Sequence, residues 1–97
     1  MLTIDTLDTK LRNYLPPDQS NLVRRAFYYA EQAHYGQYRR SGEPYVSHPL
    51  AVTNILAEMR MDHQSLVAAM LHDVIEDTRI DKKTIGNQFG EIVAELV

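Results

Sequence analysis

The stretch His72-Asp73-Val74-Ile75-Glu76-Asp77 most restricts what this chain can fold into. It sets a histidine and three carboxylates at the end of an apolar run. On a helical wheel at about 100° per residue, Leu66, Val67, Met70, Leu71, Val74 and Ile75 share one broad arc. His72, Glu76, Asp73 and Asp77 take the remaining arc as two i,i+4 pairs, with Ala69 between them and Ala68 at the border. Such a helix must bury its apolar arc against other elements. Its small residues leave room for something to sit against the polar stripe.

Stability does not account for that stripe. Carboxylates in the last turn face the negative end of the helix dipole, at a cost of some tenths of a kcal/mol each, and like charges at this spacing add to it. No lysine or arginine lies between His63 and Asp77 to compensate. A solvated polar face is the plain alternative, but such faces ordinarily mix in Lys, Gln or Asn. Three acids and an imidazole beside a cavity call for a cation.

Ninety-seven residues make one domain or part of one, spanning 1–97. With 44% hydrophobic and 24% charged residues, the composition is that of a globular chain. There is no cysteine, which excludes disulfides, zinc–thiolate sites and cysteine nucleophiles. A net charge of −3 argues against nucleic acid and anionic membranes as partners. No apolar run approaches spanning length, and the first residues lack the basic and apolar regions of a signal peptide, so a cytoplasmic protein is expected.

The remaining periodicity predicts helices and no strand. Leu7, Leu11, Tyr14 and Leu15 mark a first helix that Pro16-Pro17 stops. Asp18 or Ser20 is expected to cap a second helix running to about Tyr35, with Leu22, Ala26, Tyr29, Ala30 and Ala33 inward. Gly36 ends it, and periodicity vanishes until His48. Pro49 suits a first helical position, opening a helix expected to bury Val52, Ile55, Leu56 and Met59. Asp62 caps the helix carrying the stripe. Asp81 caps another that Gly90 breaks, and Glu91 starts one more that runs out at Val97. The expected fold is an all-α bundle, truncated after about five helices.

Residues from elsewhere must complete a metal site. His48, at a loop–helix junction, is the best second ligand beside His72 and Asp73. His63 is expected to be exposed, and His34 to be a buried support of the loop rather than a ligand. Two imidazoles and a carboxylate suit manganese, iron or zinc rather than calcium. They leave coordination positions where water can be activated. Glu76 and Asp77, one turn on, are placed to orient or deprotonate that water. In the loop, Arg39-Arg40-Ser41 offers forked donors for phosphate and a flat cation for stacking on a base; a solvated basic turn is the plain alternative.

Two longer motifs carry a resemblance. Arg39-Arg40-Ser41-Gly42-Glu43-Pro44-Tyr45-x-x-His48-Pro49 and His72-Asp73-x-x-Glu76-Asp77-Thr78 resemble the hydrolase domain of the RelA/SpoT family. Ala33-His34-x-Gly36-Gln37 and Phe89-Gly90-x-x-Val93-Ala94-x-Leu96-Val97 support it, so nearly the whole chain is covered. The resemblance implies an HD-type helical domain that uses manganese to remove the 3′-pyrophosphate from the guanine nucleotide (p)ppGpp, giving GDP or GTP. It implies His48, His72 and Asp73 as metal ligands, Glu76 and Asp77 as the pair that handles water, and Arg39 as the residue stacked on guanine beside Arg40 and Ser41. The intact H-D-x-x-E-D motif favours hydrolysis over the synthetase-only members of the family.

The family completes its metal site with an aspartate on a later helix, and no counterpart occurs before Val97. The expectation is therefore the first part of a hydrolase domain, inactive alone, with Ile92, Val93, Leu96 and Val97 exposed or buried against another copy. A phosphohydrolase for another nucleotide, separable by a substrate panel, and a non-catalytic regulatory module, separable by metal analysis, are the alternatives.

Overall fold

A computed structural model describes all 97 residues as six helices. These are α1 (Ile4–Leu11), α2 (Pro17–Ala33), α3 (Ser47–Glu58), α4 (His63–Asp77), α5 (Lys82–Phe89) and α6 (Glu91–Leu96). The all-α expectation holds, and the last helix, expected to start at Glu91, is formed from Glu91 to Leu96. The Cα extents are 32 × 32 × 18 Å, so the molecule is no more than about two helices deep.

Helix α4 is the centre. It packs against α2, α3 and α6, while α1 lies across α2 and α3. Leu66, Val67, Met70, Leu71 and Val74 are fully enclosed. Ordinary capping rules set its start: Asp62 accepts from the Ser65 N–H at 3.1 Å and from the Ser65 hydroxyl at 2.7 Å. Asp81 does the same for α5, accepting from the Thr84 N–H at 2.9 Å. Gly90, at φ 101°, separates α5 from α6 in a conformation closed to most side chains.

Three local expectations need correction. Helix α2 takes neither Asp18 nor Ser20 as its cap. It begins on Pro16 with Pro17 at the first helical position, where a fixed φ helps and a missing N–H costs nothing; the Ser20 hydroxyl turns back to the Pro17 carbonyl. The first helix stops at Leu11, well short of Leu15. Helix α3 starts at Ser47 and buries Pro49, Leu50, Thr53 and Ala57. Val52, Ile55 and Met59 are 37%, 58% and 65% exposed. This helix is apolar on more than one face, so periodicity alone does not choose the buried one. Packing against α4 does: Thr53 meets it, with its hydroxyl 3.9 Å from Met70 Sδ, and small Ala57 is buried on the same helix. At the other end Val93 is buried, 1% exposed, while Ile92 and Leu96 remain open.

The aperiodic stretch between α2 and α3 is an ordered hairpin. Tyr38 and Pro44 form an antiparallel bridge, the Arg39 N–H donates to the Glu43 carbonyl at 2.8 Å, and the Tyr45 N–H donates to the Gln37 carbonyl at 2.9 Å. The Gly42 N–H closes a turn on the Arg39 carbonyl, and Gly42 has φ 89°. A turn followed by one left-handed residue is a common three-residue hairpin connection. It needs glycine where Gly42 stands, and it presents Arg40 and Ser41 at the tip.

The α1–α2 contact is charged as well as apolar. Buried Asp8 receives Arg12 at 2.8 Å and Arg24 at 3.2 Å. Burial pushes the Asp8 carboxyl up, but the hydrogen bonds from Arg12 and Arg24 outweigh it and hold the group below its usual range.

Asp62 also titrates below the ordinary carboxylate range, because the Ser65 side chain and backbone bond its charged form. A depressed folded pKa gives stability that is present above the unfolded value, about 3.9, and lost as pH falls through the folded one. Asp62→Ala should therefore cost about 1 kcal/mol near pH 7. Denaturant unfolding of both proteins should show the gap closing as pH drops below about 4; a gap independent of pH would deny the cap its charge.

Candidate metal centre

The packing of α4 leaves one edge of the helix facing a cavity of about 430 Å³ between α3, α4 and the end of α6. His48, Val52, Ala68, Ala69, His72 and Asp73 are among its lining residues. The two alanines are the small residues that the helical wheel put beside the stripe, and they leave the space open.

Asp73 is the hub. Its Oδ1 is 3.2 Å from His72 Nδ1, and its Oδ2 is 3.7 Å from His48 Nε2. Oδ2 also accepts from the Tyr45 hydroxyl at 3.2 Å. The Asp73 side chain is 15% exposed, against 41% and 57% for the two histidines. Neither Glu76 nor Asp77 is paired with a lysine or arginine.

His72, Asp73 and Glu76 each offer a ligand atom within 4.8 Å of the others, an arrangement that can hold a metal ion. Ligands sharing one cation lie about 3–4 Å apart. His72 and Glu76 are exposed, so both side chains have room to turn toward Asp73. His48 reaches the same carboxylate from α3, so donors from two helices converge. Imidazole nitrogens and carboxylate oxygens are the donor set of a first-row divalent metal. Asp77 is not one of this group of three, but its charge acts on the same Tyr45 hydroxyl that bonds Asp73, and its carbonyl accepts from Gln37 Nε2 at 3.4 Å.

Arg39, Arg40 and Ser41 are exposed and border a wide open depression of about 550 Å³ with Glu43 and Tyr45. Tyr45 belongs both to that depression and to the surroundings of Asp73. Burial, then the charges of Asp73 and Asp77, push its hydroxyl up to about 12, so at neutral pH it is a phenol that donates. His34 is 2% exposed, as a support residue should be. Its Nδ1 pairs with Gln37 Oε1 at 3.0 Å, and its ring packs 4.7 Å from that of Tyr45. His63 is half-buried at the start of α4 rather than fully exposed. In the sequence Tyr45 stands out as one of three tyrosines, with Tyr35 and Tyr38, that flank the arginine loop, and Gln37 only as part of a motif; the signal of their role is position, Tyr45 three residues before His48 and Gln37 across the hairpin from Tyr45.

A helical fold with an H-D pair on a central helix and a histidine from a neighbouring one defines a class, and comparison bears this out. Residues 26–97 match the HD domain family. The chain belongs to that family, for which a divalent metal is implied. Over its full 97 residues it is 50% identical to the bifunctional (p)ppGpp synthase/hydrolase SpoT of Escherichia coli K12, covering 14% of that protein. It is 48% identical over 97 residues to a guanosine-3′,5′-bis(diphosphate) 3′-pyrophosphohydrolase of Vibrio cholerae, again 14% of the relative. It is 49% identical over 86 residues, 89% of the chain, to a probable GTP pyrophosphokinase of Mycobacterium leprae, covering 11% of it. The chain thus spans about a seventh or less of these relatives. No helix is long and apolar enough to cross a membrane.

A cation held here stabilises the folded state by mass action, about 2.7 kcal/mol at a hundred times its dissociation constant. Thermal melts with and without a first-row divalent chloride should show an upward shift in the native chain and little or none in His72→Ala. Equal shifts in both would put the metal elsewhere.

Proposed function

We propose that this chain is the N-terminal part of a manganese-dependent hydrolase domain that removes pyrophosphate from the 3′ position of (p)ppGpp. The observation that carries the reading is a complete H-D-x-x-E-D helix edge joined through Tyr45 to the arginine hairpin, in a chain half identical to proteins named for this chemistry. The parent protein is read as cytoplasmic and bifunctional, with control of the stringent response as its role.

His48, His72 and Asp73 would hold the manganese ion. When bound, the ion supplies Lewis-acid polarisation and offsets the charge that develops on the phosphoryl oxygens. The chain's own groups do the rest. Glu76 and Asp77 orient the attacking water and take its proton. The water oxygen forms the new bond to phosphorus, the bond from phosphorus to the ribose 3′-oxygen breaks, and the proton ends on that oxygen. Arg39 stacks on the guanine, while Arg40 and Ser41 meet polar groups of the nucleotide from the hairpin tip.

The reading is tested by pyrophosphate release from (p)ppGpp by the full-length protein with manganese. Glu76→Gln and Asp77→Asn should keep their metal yet lose about 10²-fold or more in rate together. Near-normal rates in both would remove them from the reaction. Arg39→Ala should weaken nucleotide binding, measured by calorimetry, more than Arg40→Ala, since stacking needs one guanidinium held in place and a wet phosphate contact is partly replaceable. Equal losses would mean binding by charge alone. The 97 residues by themselves should be inactive, and turnover matching the full-length protein would overturn the assigned boundary.

A further inference from the structure

The hairpin is clasped to the end of α4 at two points. Gln37, on its first arm, donates from Nε2 to the Asp77 carbonyl at 3.4 Å. Tyr45, on its second, donates to Asp73 Oδ2 at 3.2 Å. The two residues are themselves bonded across the stem, Tyr45 N–H to Gln37 carbonyl. His34 braces both, bonding the Gln37 side chain and packing on the Tyr45 ring. On the other side the Tyr45 ring meets the edge of His48, centroids 6.1 Å apart.

We infer that Tyr45 is a positioning residue of the metal centre, holding the Asp73 carboxylate in the rotamer that faces both histidines. The inference rests on the reading of Asp73 as a ligand. A free carboxylate at the end of a helix turns about two torsions, and only some settings direct Oδ1 toward His72 and Oδ2 toward His48. The phenol occupies one lone-pair direction of Oδ2 and leaves the others for a cation. At 3.2 Å this bond is longer than an ordinary O–H···O contact, so its contribution to fold stability is small. What it supplies is direction. Partners that orient a ligand in this way commonly set metal affinity within a range of 10–100-fold. Because Tyr45 is also the last residue of the arginine hairpin, the loop that meets the nucleotide and the carboxylate that meets the metal share one support.

Tyr45→Phe removes the hydroxyl and keeps the ring between His34 and His48. In the full-length protein, manganese affinity measured by calorimetric titration should fall about tenfold or more, with the unfolding midpoint of the metal-free protein unchanged. Asp73→Asn serves as the reference. If Asp73→Asn loses manganese and Tyr45→Phe binds it as tightly as the native protein, the positioning role is wrong and the metal assignment stands. A fall in turnover without a fall in manganese affinity would likewise overturn it, making Tyr45 a substrate contact. If neither variant changes manganese affinity, the ligand reading fails and this inference with it.

Discussion

Burial of one arc of α4 is the constraint on which the rest depends. Leu66, Val67, Met70, Leu71 and Val74 are enclosed among α2, α3 and α6. At roughly 1.5–3 kcal/mol each, they contribute on the order of 10 kcal/mol, comparable to the whole stability of a small domain. Against that, acids at the wrong end of a helix cost tenths of a kcal/mol apiece. The apolar arc therefore decides how the helix sits, and the polar edge goes where rotation puts it. His72 and Asp73 are held beside the cavity, with no lysine or arginine paired to the acids of this edge.

The hairpin depends on the same helix in a different way. It has a few backbone bonds and no apolar interior, so it cannot fix its own orientation. Contacts to the end of α4 do so: Tyr45 to Asp73, Gln37 to Asp77, with buried His34 behind them. Arg40 at the tip is exposed to solvent, while the base of the hairpin is tied to the carboxylate at the centre of the site.

Much of this was legible in the sequence, and the exceptions have physical causes. Asp62, Asp81 and Gly90 mark helix boundaries through short-range rules, and the structure follows them. The polar stripe was visible because α4 alternates sharply between apolar and acidic positions. Helix α3 offers no such contrast; its buried face is set by packing that brings Thr53 onto Met70 of α4, which no periodicity records. The start of α2 was missed because a proline at the first helical position replaced the side-chain cap that Asp18 or Ser20 promised. The bond from Tyr45 to Asp73 leaves no local mark in the sequence because its partner lies twenty-eight residues on.

The central claim is that α4 positions His72 and Asp73 so that, with His48 from α3, they hold one metal ion. Anomalous diffraction at the manganese edge, from crystals of the full-length protein grown with manganese, tests it most directly. The account predicts a single strong peak in this domain, within bonding distance of His48, His72 and Asp73. A peak bound by other residues, or none in crystals whose cavity is otherwise well ordered, would contradict it.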